Sequence, residues 1–158
     1  MKQGLISELE MVRDFLKRSI SCLNEQDSDF VPKEGMLSVS QQVAHIAQVV
    51  DWFLEGASRE EGFCLNFESH WVEVNKCKSL SKAIAWFDES INAAIRLVDQ
   101  MSVEHLKSAL PEGPVMGGAP RFSIVGSISD HTAHHRGALT VYSRLLGKIP
   151  KMPYMDEV

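Results

Sequence analysis

The sequence predicts an all-α protein, a four-helix bundle, and three observations predict it. Four stretches repeat apolar residues at alternating spacings of four and three, the signature of one helix face turned inward. No stretch alternates apolar and polar residues as a half-buried strand would. The connections are unequal, and the longest lies between the second and third stretches. These two helices can therefore run parallel, with one crossover over the end of the bundle. At 158 residues the chain, 1–158, is expected to form a single domain with a core of ordinary size.

The first helix is expected over residues 3–23, where Leu5, Leu9, Val12, Leu16, Ser19 and Leu23 form the seam and Ile6, Phe15 and Ile20 widen it. The polar run 24–29 has no periodicity, and Pro32 and Gly35 mark turns after it. Ser38 stands three residues ahead of Gln41, a capping box in which each side chain serves a free backbone N–H of the other. The helix it opens reaches about Gly56. Val43, Ile46, Val50 and Phe53 line its inner face, beside a row of Ser38, Gln42, His45, Val49 and Trp52 that turns His45 inward or nearly so.

Residues 57–78 lack a clean period. They read as a long crossover loop with a short helical piece near 67–74, its aromatics packed over the bundle as a lid or wall. His70 reads there as a surface-loop histidine, with a pocket residue as the alternative. Ser79 or Ser81 caps the third helix, whose seam is Leu80, Ile84, Phe87, Ile91, Ala94, Val98 and Met101. Ser102 caps a short turn with His105 facing solvent, and the Gly/Pro-rich segment 110–120 must be irregular. The last helix lies within 121–147 and ends at Gly147, a glycine placed just past the helix. Pro150 and Pro153 hold the tail extended.

That last helix carries the chemistry. Its seam is Ile124, Ile128, His131, His135, Ala138, Tyr142 and Leu145, with two histidines where apolar residues are expected. Four apart, their Cβ atoms stack on one face about 5–6 Å from each other. A single buried histidine is ordinarily a hydrogen-bonded core residue. Two at this spacing can share a metal ion, which satisfies both rings but requires a third protein ligand. His45, from the second helix, is the candidate third. Three imidazoles with no carboxylate or thiolate suit Zn, Ni, Fe or Cu, and three ligands leave positions open to water or substrate. Two chemistries follow, hydrolysis by an activated water or transfer of a metal-bound thiolate. No Asp or Glu lies on the seam to act as base, which favours the thiolate. His134 lies about 100° round the helix from His135. It reads as an i, i+4 partner of Asp130 on the helix flank, the alternative being that Asp130 orients a ligand.

The remaining composition excludes other classes. A net charge of −5 and the lack of any Lys/Arg cluster argue against a sequence-independent grip on nucleic acid. Hydrophobic content of 44% and charged content of 23% are those of a soluble globular protein. No apolar run approaches the ~20 residues of a membrane span. Glu8, Glu10 and Asp14 make the N-terminus unlike a signal peptide. Cys22, Cys64 and Cys77 are odd in number without CxxC spacing, so free thiols in a reducing cytoplasm are expected. Val125, Leu139 and the run Val141 to Leu146 form a second apolar row on the last helix, and the second helix is also apolar on more than one side. Either a second copy of the chain or the 57–78 segment must cover these rows.

His45 within Ser-Gln-Gln-Val-Ala-His-Ile-Ala, the run His131-x-x-x-His135-Arg-Gly, and the closing Tyr-x-Arg-Leu-Leu-Gly-Lys-x-Pro together resemble the DinB/YfiT-like family over nearly the whole chain. The resemblance implies a four-helix bundle with a long second connection, usually a homodimer, with a divalent metal ion such as Zn, Ni or Fe on three histidines. These map to His45, His131 and His135. It also implies a metal-dependent enzyme of small molecules, either a transferase using a low-molecular-weight thiol or a hydrolase. The alternative is a non-catalytic metal- or ligand-binding dimer. Ala138 departs from the glutamine that often follows His-Arg-Gly in the family, so no pocket amide carries over to that position.

Overall fold

The computed structural model describes residues 1–155. Six helices follow in order: α1 (Lys2–Ser19), α2 (Val39–Ser58), α3 (Phe67–Lys76), α4 (Leu80–Gln100), α5 (Val103–Lys107) and α6 (Ser123–Leu145), with a 3-10 turn at Glu25–Asp27. The four long ones form the bundle, as the four seams require. Leu9, Leu16, Val43, Ile46, Phe87, Ile91, Ile128 and Tyr142 fill its core.

Side-chain pairs fix the helix directions. Lys17 meets Asp88 at 2.7 Å while Lys2 at the other end of α1 reaches the Asp99 carbonyl, so α1 and α4 are antiparallel. Ser40 near the start of α2 donates to the Cys77 carbonyl just ahead of α4 (3.2 Å). Farther along both helices, Trp86 donates to Asp51 (2.7 Å). Hence α2 and α4 run parallel, the arrangement that the long connection between them permits. Arg121, ahead of α6, donates to the Ala57 carbonyl near the end of α2 (2.8 Å), so α6 runs antiparallel to α2.

The helix signals in the sequence act as expected. Ser38 and Gln41 form both halves of the capping box, Ser79 caps α4 through the Lys82 N–H, and Ser102 caps α5. Gly147, at φ 74°, terminates α6 in the conformation only glycine adopts without strain.

Three departures have physical causes. The first helix stops at Ser19 instead of continuing to 23, yet Ile20 and Leu23 still reach the core from successive turns, which kept the seam unbroken in sequence. The polar run after it is ordered. Asn24 and Asp27 cap each other, buried Asp27 pairs with Lys148 of the tail, and the Ser28 hydroxyl accepts from the first amide of α4 (2.9 Å). On α6, Leu145 was expected inward and is 61% exposed, whereas Val125 and Leu139 of the supposed outer row are buried. Tyr142 already reaches the Leu37 carbonyl just ahead of α2, so Leu145 lies a turn beyond that neighbour. Farther down, α6 packs against α1 as well as α2, and two rows go inside.

The 57–78 segment folds back over α2. Trp52 donates to the Cys64 carbonyl (2.8 Å) and packs against Phe63 at 4.8 Å between ring centroids. The Phe63 ring lies where a side chain at Gly56 would stand, an ideal Cβ falling 2.3 Å from it. The second apolar row of α2 is thus covered by this chain itself. The 110–120 segment is irregular but closed at its neck. Ala109 bridges Pro120, and the Leu110 N–H donates to the Ala119 carbonyl (2.8 Å).

Candidate metal centre

His131 and His135 lie one turn apart on α6, and His45 faces them from antiparallel α2. One ligand atom from each of the three lies within 4.8 Å of the others. The rings of His131 and His135 are 4.5 Å apart, and His45 stands 5.1 Å and 4.8 Å from them. The sequence-predicted set therefore comes together from two elements.

Half-burial leaves these rings short of water, and that is the main cause of their low basicity. His131 is pushed down to about 3 by burial and then by the neighbouring His135, His45 and His134. His135 is pushed down to about 4 by burial, His45 and His134, and burial also lowers His45. Neutral imidazoles are the form in which histidine binds a metal.

Hydrogen bonds hold one ring and leave another without support. The Nδ1 of His135 lies 2.6 Å from Gln42 Oε1, Gln42 Nε2 lies 3.2 Å from the Tyr142 hydroxyl, and that hydroxyl lies 3.1 Å from the Leu37 carbonyl. His45 instead stacks on Trp71 of α3 (4.8 Å, 16° between planes), with its Nδ1 buried and unpartnered. An orphaned ring nitrogen beside two neutral imidazoles is what a cation would satisfy, so these residues fit a metal.

The order of the helices is reflected in the comparisons. Residues 1–157 match the DinB family. The chain belongs to the DinB family. No curated protein matches it by sequence. Among solved structures it is similar to YfiT from Bacillus subtilis, described as a probable metal-dependent hydrolase with an unusual four-helix bundle topology. The two superpose with a TM-score of 0.72 over 93% of this chain and 88% of that one, at 21% identity. At that identity the likeness is one of fold.

Two openings flank the histidines of this DinB-family chain. A groove of about 780 Å³ runs beside His131, walled by Phe53, Met116 and Ser127 and rimmed by Asp130 and His134. A smaller pocket of about 120 Å³ lies behind His45, lined by Trp52, Phe67, His70 and Trp71. His70 is thus a half-buried pocket residue and not the surface-loop histidine expected, because the loop around it is a helix laid on α2. The expected Asp130–His134 pair does not form among the described residues; both are exposed at the groove rim, and His134 lies 4.9 Å from His135, ring to ring. His105 faces solvent as expected. Gln42 and Tyr142 were not singled out from sequence. The signal was there, since Gln42 shares the row of His45 and Tyr142 the seam of His131 and His135, polar groups on faces otherwise apolar.

Proposed function

We propose that this protein is a metal-dependent enzyme acting on a small molecule, with His45, His131 and His135 holding one divalent cation such as Zn, Ni or Fe. The convergence of three neutral imidazoles from two helices carries the reading. Three protein ligands and no more leave positions open, which is the arrangement of a catalytic site. A cation held there lowers the pKa of a coordinated water or thiol.

The chain's own residues supply the rest. The groove beside His131 admits the substrate, Phe53 and Met116 take its apolar part, and Asp130 and His134 offer a carboxylate and an imidazole at the rim to move a proton. These two groups support hydrolysis as the leading chemistry, the one also named for YfiT. Thiol transfer with a low-molecular-weight thiol is supported by the lack of any carboxylate among the converging ligands, since a metal-bound thiolate needs no base.

The site is further proposed to work in a homodimer. Val141 is 55% exposed and Leu145, one turn on along α6, is 61% exposed, an apolar pair open to a partner. A cytoplasmic setting is supported by the free thiols of Cys22, Cys64 and Cys77. No described helix is long and apolar enough to cross a membrane.

Elemental analysis of tag-free protein should find about one divalent metal per chain. Metal-loaded protein is then screened with ester and amide substrates, and separately with thiols plus electrophiles. A protein that binds metal and turns over neither panel would be a binding bundle. Light scattering that finds only 17.7 kDa particles would remove the dimer.

A further inference from the structure

The row of hydrogen bonds behind His135 has a direction, and one atom sets it. The Leu37 carbonyl can only accept. The Tyr142 hydroxyl beside it has one proton, and that proton goes to the carbonyl (3.1 Å). Tyr142 must then accept from its other neighbour, so the group of Gln42 facing it is the NH₂ and not the oxygen (3.2 Å). The Gln42 oxygen is thereby turned toward His135, where it can only accept, and the Nδ1 at 2.6 Å must carry the hydrogen. The opposite amide orientation would set the Gln42 oxygen and the Leu37 carbonyl on one hydroxyl proton, leaving a buried acceptor unsatisfied. Tyr142 and Gln42 are both buried, so water cannot repair that mismatch.

We propose that Gln42 and Tyr142 are positioning residues that lock His135 as the Nδ1–H tautomer and present its Nε2 lone pair to the cation. The inference rests on the metal reading of the three histidines and adds how one of them is aimed. Its anchor lies outside the site. Leu37 immediately precedes the capping box of α2, and the Val39 N–H is held by the Phe30 carbonyl (3.1 Å). Phe30 in turn packs edge-on against the Tyr142 ring at 6.2 Å. The start of α2 thus holds, through three hydrogen bonds, a candidate ligand on α6.

The test begins without metal. Long-range ¹H–¹⁵N spectra of histidine-labelled, metal-free protein should show His135 with Nδ1 protonated and Nε2 bare. Tyr142→Phe keeps the ring but frees the Gln42 amide to flip. The His135 signal should then become a tautomer mixture, and affinity for cobalt(II), read from its d–d absorption, should fall roughly 10- to 100-fold. Gln42→Glu should keep the tautomer, since its carboxylate can only accept from Nδ1–H, but should lower stability, because the carboxylate and the Leu37 carbonyl then compete for the single Tyr142 proton. Gln42→Leu should lose both the tautomer and the cobalt affinity. Nε2–H in the wild-type protein, or unchanged tautomer and affinity in Tyr142→Phe, would overturn the proposal. An Nδ1–H tautomer in a protein that binds no cobalt would leave the hydrogen-bond lock standing and overturn its ligand role together with the metal reading.

Discussion

The histidine cluster has two unlike sides. On one, His135 sits between two bundle helices, its ring tied by hydrogen bonds to the start of α2. On the other, His45 is covered by Trp71 of α3, a helix packed on α2 with a partly exposed aromatic face and no hydrogen bond to the ring. A polar tether fixes direction to a few tenths of an ångström, whereas a stacked ring fixes only a plane. The cluster therefore has a rigid side, at His135, and an adaptable side, at His45, where a shift of α3 can be accommodated.

The comparison breaks outright if both α6 histidines go. His131→Ala/His135→Ala should abolish metal binding in elemental analysis, and His45→Ala alone should do the same because two imidazoles are too few. His134→Ala and His105→Ala should retain the metal. Retention in the double variant would remove the site altogether.

Gly56→Ala attacks the adaptable side only. Its Cβ would strike the Phe63 ring, and displacing that ring should cost about 1–3 kcal/mol in denaturant unfolding. Proteolysis within 57–78 should quicken while the His135 tautomer stays as in wild type. A change of tautomer would show that the two sides are coupled.

Trp71→Ala removes the stack on His45. The loss is that of one aromatic pair, about 0.5–1.5 kcal/mol, so metal affinity measured by competition titration should weaken by no more than roughly tenfold. A loss as complete as that of His45→Ala would mean that Trp71 fixes the ligand as firmly as Gln42 fixes His135.

The last test is a pH slope. His131 and His135 bind protons in the unfolded chain near 6.5 but in the folded chain only near 3 and 4, and His45 is shifted the same way. Between these values the unfolded state holds more protons, so acid favours unfolding. Melting temperature of metal-free protein should be steady above about pH 6.5 and fall as pH drops toward 4, on account of these rings. The double histidine variant should show a flatter profile over the same window. An equal slope in both would assign the acid sensitivity to other groups.

Much of this was legible because it depended on one helix at a time. A four-three seam interrupted by His131 and His135, a serine three residues from a glutamine, and a glycine after the last turn are local patterns with local causes. What was not legible depended on neighbours. Whether Leu139 or Leu145 is buried is decided by where α2 begins and by α1, neither of which is written into α6. The crossover has no period because its aromatics pack on α2 one at a time, through Phe63 on Gly56 and Trp71 on His45. For the same reason His70 looked like a surface residue. Gln42 stood in plain view on the row of His45, but the partner that gives it meaning is Tyr142, a hundred residues away.

The closed neck of the 110–120 segment has a consequence for how such a scaffold can diversify. Its ends are clasped by the Ala109–Pro120 bridge and by the Arg121 N–H on the Ser108 carbonyl (3.0 Å), so the chain enters and leaves at one fixed point. Within the clasp, Val115 and Met116 form part of the groove wall beside His131. Apart from Leu110, Met116 and Ala119, which pack on the core, residues can be exchanged or added there at little cost to the bundle, because loop closure grows only slowly with length. This part of the wall and the three histidines thus lie on different segments of the chain, although the rest of the groove is lined by α2 and α6. Eleven residues that carry no helix therefore shape one part of that groove wall.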